Sequence, residues 1–211
     1  MVTLNQIPAT TLFSHDNIVV GEYGSTHPSI EQINSLRMIP NFRVFRPCDG
    51  KELIDAYKMC LESKNTPGAI CLIKQNIPTI GGLRVDAVEK GVYMESKKKE
   101  LIATGSEVEL TVKVKERLSS KVDIRIETMP CIELFDVQVK EYYNEVLPSN
   151  VERRMLIERG NGGLAYKYTG LNGKVVDVNS FGQFAPVGVL MKEYGFTVDR
   201  VVEEVERLMT Q

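Results

Sequence analysis

The chain is 211 residues long, with 43% hydrophobic and 26% charged residues. Those proportions exclude a disordered chain, a collagen-like repeat and a coiled coil, and leave room for one large domain or two ordinary ones. Its 26 basic and 28 acidic side chains give a net charge of −2, which argues against a dedicated nucleic-acid binder. No apolar run reaches the roughly 18 residues of a membrane span, and the opening residues MVTLNQIPATTLFSHDN carry no basic n-region or long apolar h-region, so neither a membrane anchor nor a secretory signal is expected. Cys48, Cys60, Cys71 and Cys131 are scattered without a C-x-x-C pair, which disfavours a zinc site or disulfide framework and fits a reducing, cytoplasmic setting. The two histidines, His15 and His27, both fall within the first 27 residues.

In chain order, the pattern predicts short strands over 9–14 and 17–20, then a helix over 28–38 with Ile30, Ile33 and Leu36 at helical spacing and Pro28 at its start. A strand over 43–46, a helix over 49–62 that buries Leu53, Ala56, Tyr57 and Cys60, and an apolar strand over 69–73 follow. Residues 76–99 hold Pro78, Gly81, Gly82, Gly91 and the run Lys97-Lys98-Lys99, and read as a solvated linker. Alternation then resumes. It predicts a strand over 100–103, a helix opened by the capping-box match Ser106-x-x-Glu109, strands over 121–128, 153–157 and 174–178, and helices over 161–168, 186–194 and 199–209. The expected fold class is α/β. Residues 1–80 form a partial parallel-sheet domain, 81–98 a linker and 99–211 a complete three-layer α/β domain. Three or four strands make a thin first sheet, so an unpaired edge and exposed apolar surface are expected there.

The densest polar stretch runs from Ser14 to Pro28 and carries both histidines and the glycines Gly21 and Gly24. It follows a strand and precedes a helix, where open α/β sheets place ligands. Histidines there can donate to a phosphate or move a proton, although each can also simply satisfy a turn. Lys74 lies just past another strand and offers a point charge to an anion, or is an ordinary strand-end lysine. Thr104-Gly105-Ser106 and Gly160-Asn161-Gly162-Gly163 read as plain capped or tight turns.

The stretch SHDNIVVGEYGSTHPSIEQINSLRMIPNFRVFRPCDGKE resembles the transketolase signature T-H-D-S-I-G-x-G-E-D-G-P-T-H-x-P-I-E followed by S-L-R-x-I-P-N and R-P-x-D. The likeness continues through KQNIP, LIATGSEVELTVK, MPCIELFD, KYTGLNGK, FGQFAPVGVL and YGFTVDRVV, in family order over nearly the whole chain. The resemblance implies the end of a pyrimidine-binding domain followed by the C-terminal domain, about the last third of the family's length. It implies a chemistry in which thiamine diphosphate and Mg (or Ca) carry a two-carbon ketol unit between sugar phosphates of the pentose phosphate pathway. By resemblance, His15 contacts the sugar-phosphate acceptor and His27 hydrogen-bonds the donor near the cofactor's reactive carbon. Lys74 replaces a phosphate-gripping arginine, exchanging a bidentate fork for a point charge. Tyr23 replaces an aspartate that bonds a substrate hydroxyl, Ile73 a serine and Ser25 a proline. The family's activating glutamate and its metal- and diphosphate-binding domain lie upstream of this match. Asp49-Gly50 with Asn76 only loosely resembles the family's metal motif, and Asp49 reads instead as a helix cap. The implied picture is a chain inactive alone, either completed by an N-terminal partner or an oligomer, or else a non-catalytic remnant or interaction module.

Overall fold

The computed structural model describes residues 1–81, 88–94 and 99–210. Among these, the strands form two sheets. The first joins β1 (Thr10–Ser14), β2 (Arg43–Phe45) and β3 (Gly68–Leu72) in the order β1-β3-β2, all parallel. Two helices accompany it, α1 (Gln32–Arg37) and α2 (Gly50–Glu62). Asp49 caps α2 as expected, its Oδ1 accepting from the Lys51 and Glu52 N–H groups. β1 lies at the sheet edge with every residue exposed. Leu12 and Phe13 are 50% and 42% accessible, so the expected bare edge is present among the described residues.

The second sheet runs β4-β6-β5-β7-β8, formed by β4 (Tyr93–Met94), β5 (Lys99–Ala103), β6 (Ile124–Thr128), β7 (Met155–Ile157) and β8 (Lys174–Val176). All its pairings are parallel except β4 against β6. Helices α3 (Glu107–Leu118) and α8 (Val198–Thr210) cover one face, where Leu110, Val114 and Leu118 meet Val201, Val205 and Leu208 over Leu101 and Met155. Helices α4 (Ile132–Phe135), α5 (Lys140–Val146) and α6 (Tyr166–Thr169) lie on the other, with Phe135, Val146 and Tyr168 over Ile102 and Leu156. Alternate strand residues thus feed two cores, giving the three layers. Helix α7 (Val187–Glu193) packs against residues 18–20 of the first half.

Four local expectations need correcting. Residues 17–20 form no strand. The Asn17 Oδ1 accepts from the Val19 N–H, and Ile18–Val20 closes into a single 3₁₀ turn. The helix expected from Pro28 starts only at Gln32, because the Ile30 carbonyl accepts from the Asn161 N–H instead of joining a helical ladder. Ser106 makes no side-chain cap on α3; its hydroxyl turns to Asn17 and Glu107. The stretch read as solvated holds buried Val88, Val92 and Tyr93 and adds β4 to the second sheet. The lysines at 97 and 98 lie outside the described residues. The one-turn α4 and the short α5 carry too few residues for a readable helical period and were not expected.

Candidate functional site

β1 and β3 are parallel neighbours, so the residues that follow them emerge side by side. His15 directly follows β1, and Lys74 lies just beyond β3. Between them the chain turns through Gly21 (φ +86°), where a side chain would press on Val187. Tyr23 then sits at the centre. Its ring lies 6.1 Å from that of His15, edge-on, and 6.0 Å from that of His27. The Lys74 Nζ stands 4.6 Å over its face, a cation–π contact. All four residues singled out in the sequence, His15, Tyr23, His27 and Lys74, therefore converge.

Each imidazole is held from one side by its neighbour: His15 Nδ1 lies 2.8 Å from the Ser14 hydroxyl and His27 Nδ1 2.9 Å from that of Thr26. Such a bond fixes ring orientation and leaves Nε2 for a ligand. Gln75 donates to the Val19 carbonyl at 2.8 Å, tying the Lys74 strand end to the loop. From the other half, Gly182 backs Pro28: a methyl group there would lie 2.4 Å from the proline Cγ. The arrangement offers a cation and two imidazoles around an exposed phenol, apt for hydrogen-bonding and neutralising an oxygen-rich anion.

Sequence reasoning missed the layer beneath. Arg46, wholly buried, reaches Asp16 at 3.0 Å, Glu158 at 2.5 Å and Glu107 at 3.5 Å. These partners lie 30, 112 and 61 residues away along the chain, so spacing does not pair them; the signals that could have marked them are a charged residue set within apolar strand ends and the fact that Asp16, Arg46 and Glu107 fall inside stretches that carry the resemblance. Burial raises Asp16 above its ordinary value despite Arg46, with Glu107 adding to the rise. Burial likewise pushes Glu158 up to about 7, against the pull of Arg46. Burial opposes the charge on Arg46, but the three carboxylates outweigh it and hold its proton more tightly.

The Gly160–Gly163 turn is the tight turn expected, closed by Asp177 and Asn161 accepting from backbone N–H groups. Cys48, Cys60, Cys71 and Cys131 are free and buried. Among the described residues no group of three His, Cys, Asp or Glu is placed to hold a metal ion, and no helix is long and apolar enough to cross a membrane. Both Asp49 oxygens are engaged, Oδ1 in the cap and Oδ2 by the Ile80 N–H.

Comparison with known proteins decides the family. Residues 86–197 match the transketolase-like C-terminal domain, and residues 1–79 the transketolase pyrimidine-binding domain. The chain belongs to the transketolase family. It is 41% identical over 221 residues to the transketolase of Bacillus subtilis and 42% identical over 218 to that of Halalkalibacterium halodurans. Those alignments take in 100% and 99% of this chain but 33% of each relative, so the chain spans about a third of the length of the curated relatives it matches. Among solved structures, transketolase from Leishmania mexicana superposes with a TM-score of 0.92 at 34% identity, over 98% of this chain and 31% of that one. A protein described as "split gene transketolase, inactive beta4 tetramer" shares the fold, with a TM-score of 0.73 at 19% identity over 95% of this chain and 66% of its own.

Proposed function

We propose that this chain supplies the substrate-facing part of a transketolase site, for two-carbon ketol transfer between sugar phosphates. The observation that carries the reading is the convergence of His15, His27 and Lys74 on Tyr23 at the ends of β1 and β3. In this role Lys74 neutralises the substrate phosphate, and His15 and His27 hydrogen-bond substrate oxygens. When bound, thiamine diphosphate supplies the carbanion-stabilising chemistry of the family. The described residues do not fit that group: they offer no metal cluster, and Asp49 is fully engaged. In this reading a complementing transketolase segment or a second chain supplies the groups that hold the metal and diphosphate. The division into 1–80 and 99–211 is part of this proposal, supported by the two separate sheets. So is a cytoplasmic setting, supported by four free thiols.

The test measures ketol transfer from xylulose 5-phosphate to ribose 5-phosphate, with thiamine diphosphate and magnesium, by this chain alone and with an N-terminal transketolase segment added. Turnover only in the mixture supports the proposal. Turnover by the lone chain overturns the claim that the site is incomplete. No turnover in either case favours the second reading, a non-catalytic interaction module, for which the bare β1 edge and the exposed Leu12 and Phe13 speak.

A further inference from the structure

Lys74 brings a positive charge to the cluster around Tyr23, yet that charge is already in use. Its Nζ stands 4.6 Å over the phenol ring, and among the described residues no carboxylate pairs with it. Asp16, in the facing loop, is taken by Arg46 at 3.0 Å. The main chain beside Lys74 is fixed, because Gln75 donates to the Val19 carbonyl at 2.8 Å. Freedom remains in the lysine's four-carbon stem, which lets a compact ammonium move from one partner to another.

Tyr23 is carried on a tight turn. Its N–H donates to the Gly21 carbonyl at 2.8 Å, and Gly21 and Gly24 hold φ +86° and +76°. A Cβ at Gly24 would meet no atom within 4 Å, so glycine is required there by the backbone conformation and not by crowding. The turn sets the ring between the two imidazoles, 6.1 and 6.0 Å away, and leaves the residue 47% exposed. The ring is thus a platform in the middle of the site, with the ammonium over its face.

That placement treats charged and neutral ligands differently. An anion that met the ammonium where it lies would be drawn over the electron-rich face of the ring. A phosphate therefore binds well only after Lys74 has left the ring, whereas a neutral polyhydroxy compound has no need of the ammonium. An exposed cation–π contact favours the ring-held lysine roughly two- to fivefold, and so cuts the apparent affinity for phosphate roughly three- to sixfold.

We propose that Tyr23 is a specificity-determining residue of this site: its ring holds Lys74 until a phosphate takes the ammonium, and so narrows the preference for phosphorylated over neutral substrates. The inference rests on reading Lys74 as the residue that meets the substrate phosphate, and its test is binding rather than turnover.

The experiment follows the Lys74 ε-methylene by ¹H–¹³C NMR in the folded 211-residue chain, titrated with inorganic phosphate at neutral pH and constant ionic strength. Protons above an aromatic ring are shielded by its circulating electrons. The wild-type Lys74 signal is therefore expected upfield of the other lysines. It is expected to return downfield, saturably, as phosphate binds and the His15 and His27 ring signals shift. Unphosphorylated ribose is expected to leave the Lys74 signal in place. Tyr23→Phe keeps the ring and is expected to reproduce the upfield start and the wild-type midpoint. Tyr23→Leu lacks the π face; its Lys74 signal is expected at the ordinary lysine position, with a midpoint at roughly three- to sixfold less phosphate. A wild-type signal that is not shielded, that stays shielded at saturation, or that ribose releases overturns the proposal, whether or not the variants fold. So does a Tyr23→Leu midpoint equal to or above the wild type, or a Tyr23→Phe midpoint that follows Tyr23→Leu. Equal phosphate binding by all three chains defeats this proposal alone; no response to phosphate in any of them defeats the phosphate role of Lys74 as well.

Discussion

Replacing Gly182 by alanine tests whether the second half of the chain sets the position of His27. The added methyl would stand 2.4 Å from Pro28 Cγ, 2.7 Å from Cβ and 3.2 Å from Cδ. Ordinary carbon contacts begin near 3.5 Å, so the proline ring must retreat by about 1 Å. Gly182 does not use the left-handed region, so the effect is steric rather than a backbone penalty. Overpacking of this kind costs roughly 1–3 kcal/mol, which for a chain of this size lowers Tm by roughly 2–12 °C. Pro28 directly follows His27, so the displacement passes along the main chain to that imidazole, and a misplacement near 1 Å costs on the order of a hundredfold in rate where the residue acts. The assay is thermal unfolding together with the histidine ring ¹H–¹³C spectrum. His27 is expected to shift and His15 to stay. An unchanged His27 resonance at unchanged Tm would refute the claim that Gly182, by backing Pro28, sets the position of His27.

Three further outcomes are expected. Glu158 has its carboxyl pushed from 4.5 to about 7 in the fold; a raised acid contributes stability that is complete below about pH 4.5 and lost as pH rises through 7. Glu158→Gln, which cannot ionise, is therefore expected to match the wild type near pH 4.5 and to exceed it by up to about 3 kcal/mol at pH 8; parallel stability curves in urea titrations would show the reasoning wrong. Tyr23 is 47% exposed, so Tyr23→Ala is expected to cost about 1 kcal/mol of stability while freeing Lys74 from its ring, and a loss of several kcal/mol would mean that the tyrosine is a core packing residue. The chain is expected to bind an apolar dye and self-associate through β1, both suppressed by Leu12→Lys with Phe13→Lys; a monodisperse, dye-silent wild type contradicts this.

The legible parts of the fold were those where local pattern and tertiary demand agree. The helix over 49–62 was readable because Asp49, Leu53, Ala56 and Cys60 each serve the helix that forms. The site residues were readable because strand-end loops carry chemistry and two histidines are conspicuous in one of them. What escaped was decided at long range. Asn17 looked like the start of a strand, yet its side chain folds the backbone into a turn and bonds Ser106 and Glu107, 89 and 90 residues away. Ser106 fits a capping box by spacing, but the same partners draw its hydroxyl off the helix. The glycine- and lysine-rich crossing looked solvated by composition. Val92 and Tyr93 are nonetheless buried there, because β6 offers an open antiparallel edge.

Arg46 also bears on the order in which the chain matures. As synthesis proceeds from the amino terminus, Asp16 and Arg46 appear together, but Glu107 and Glu158 follow 61 and 112 residues later. Until then the guanidinium has one of its three acidic partners, and His15 lacks the full clamp around its neighbour. Contacts this distant in sequence form late, after the entropy of closing long loops has been overcome. The histidine loop is thus among the last pieces to take its final shape, and a nascent chain halted before residue 158 would display the loop without its geometry.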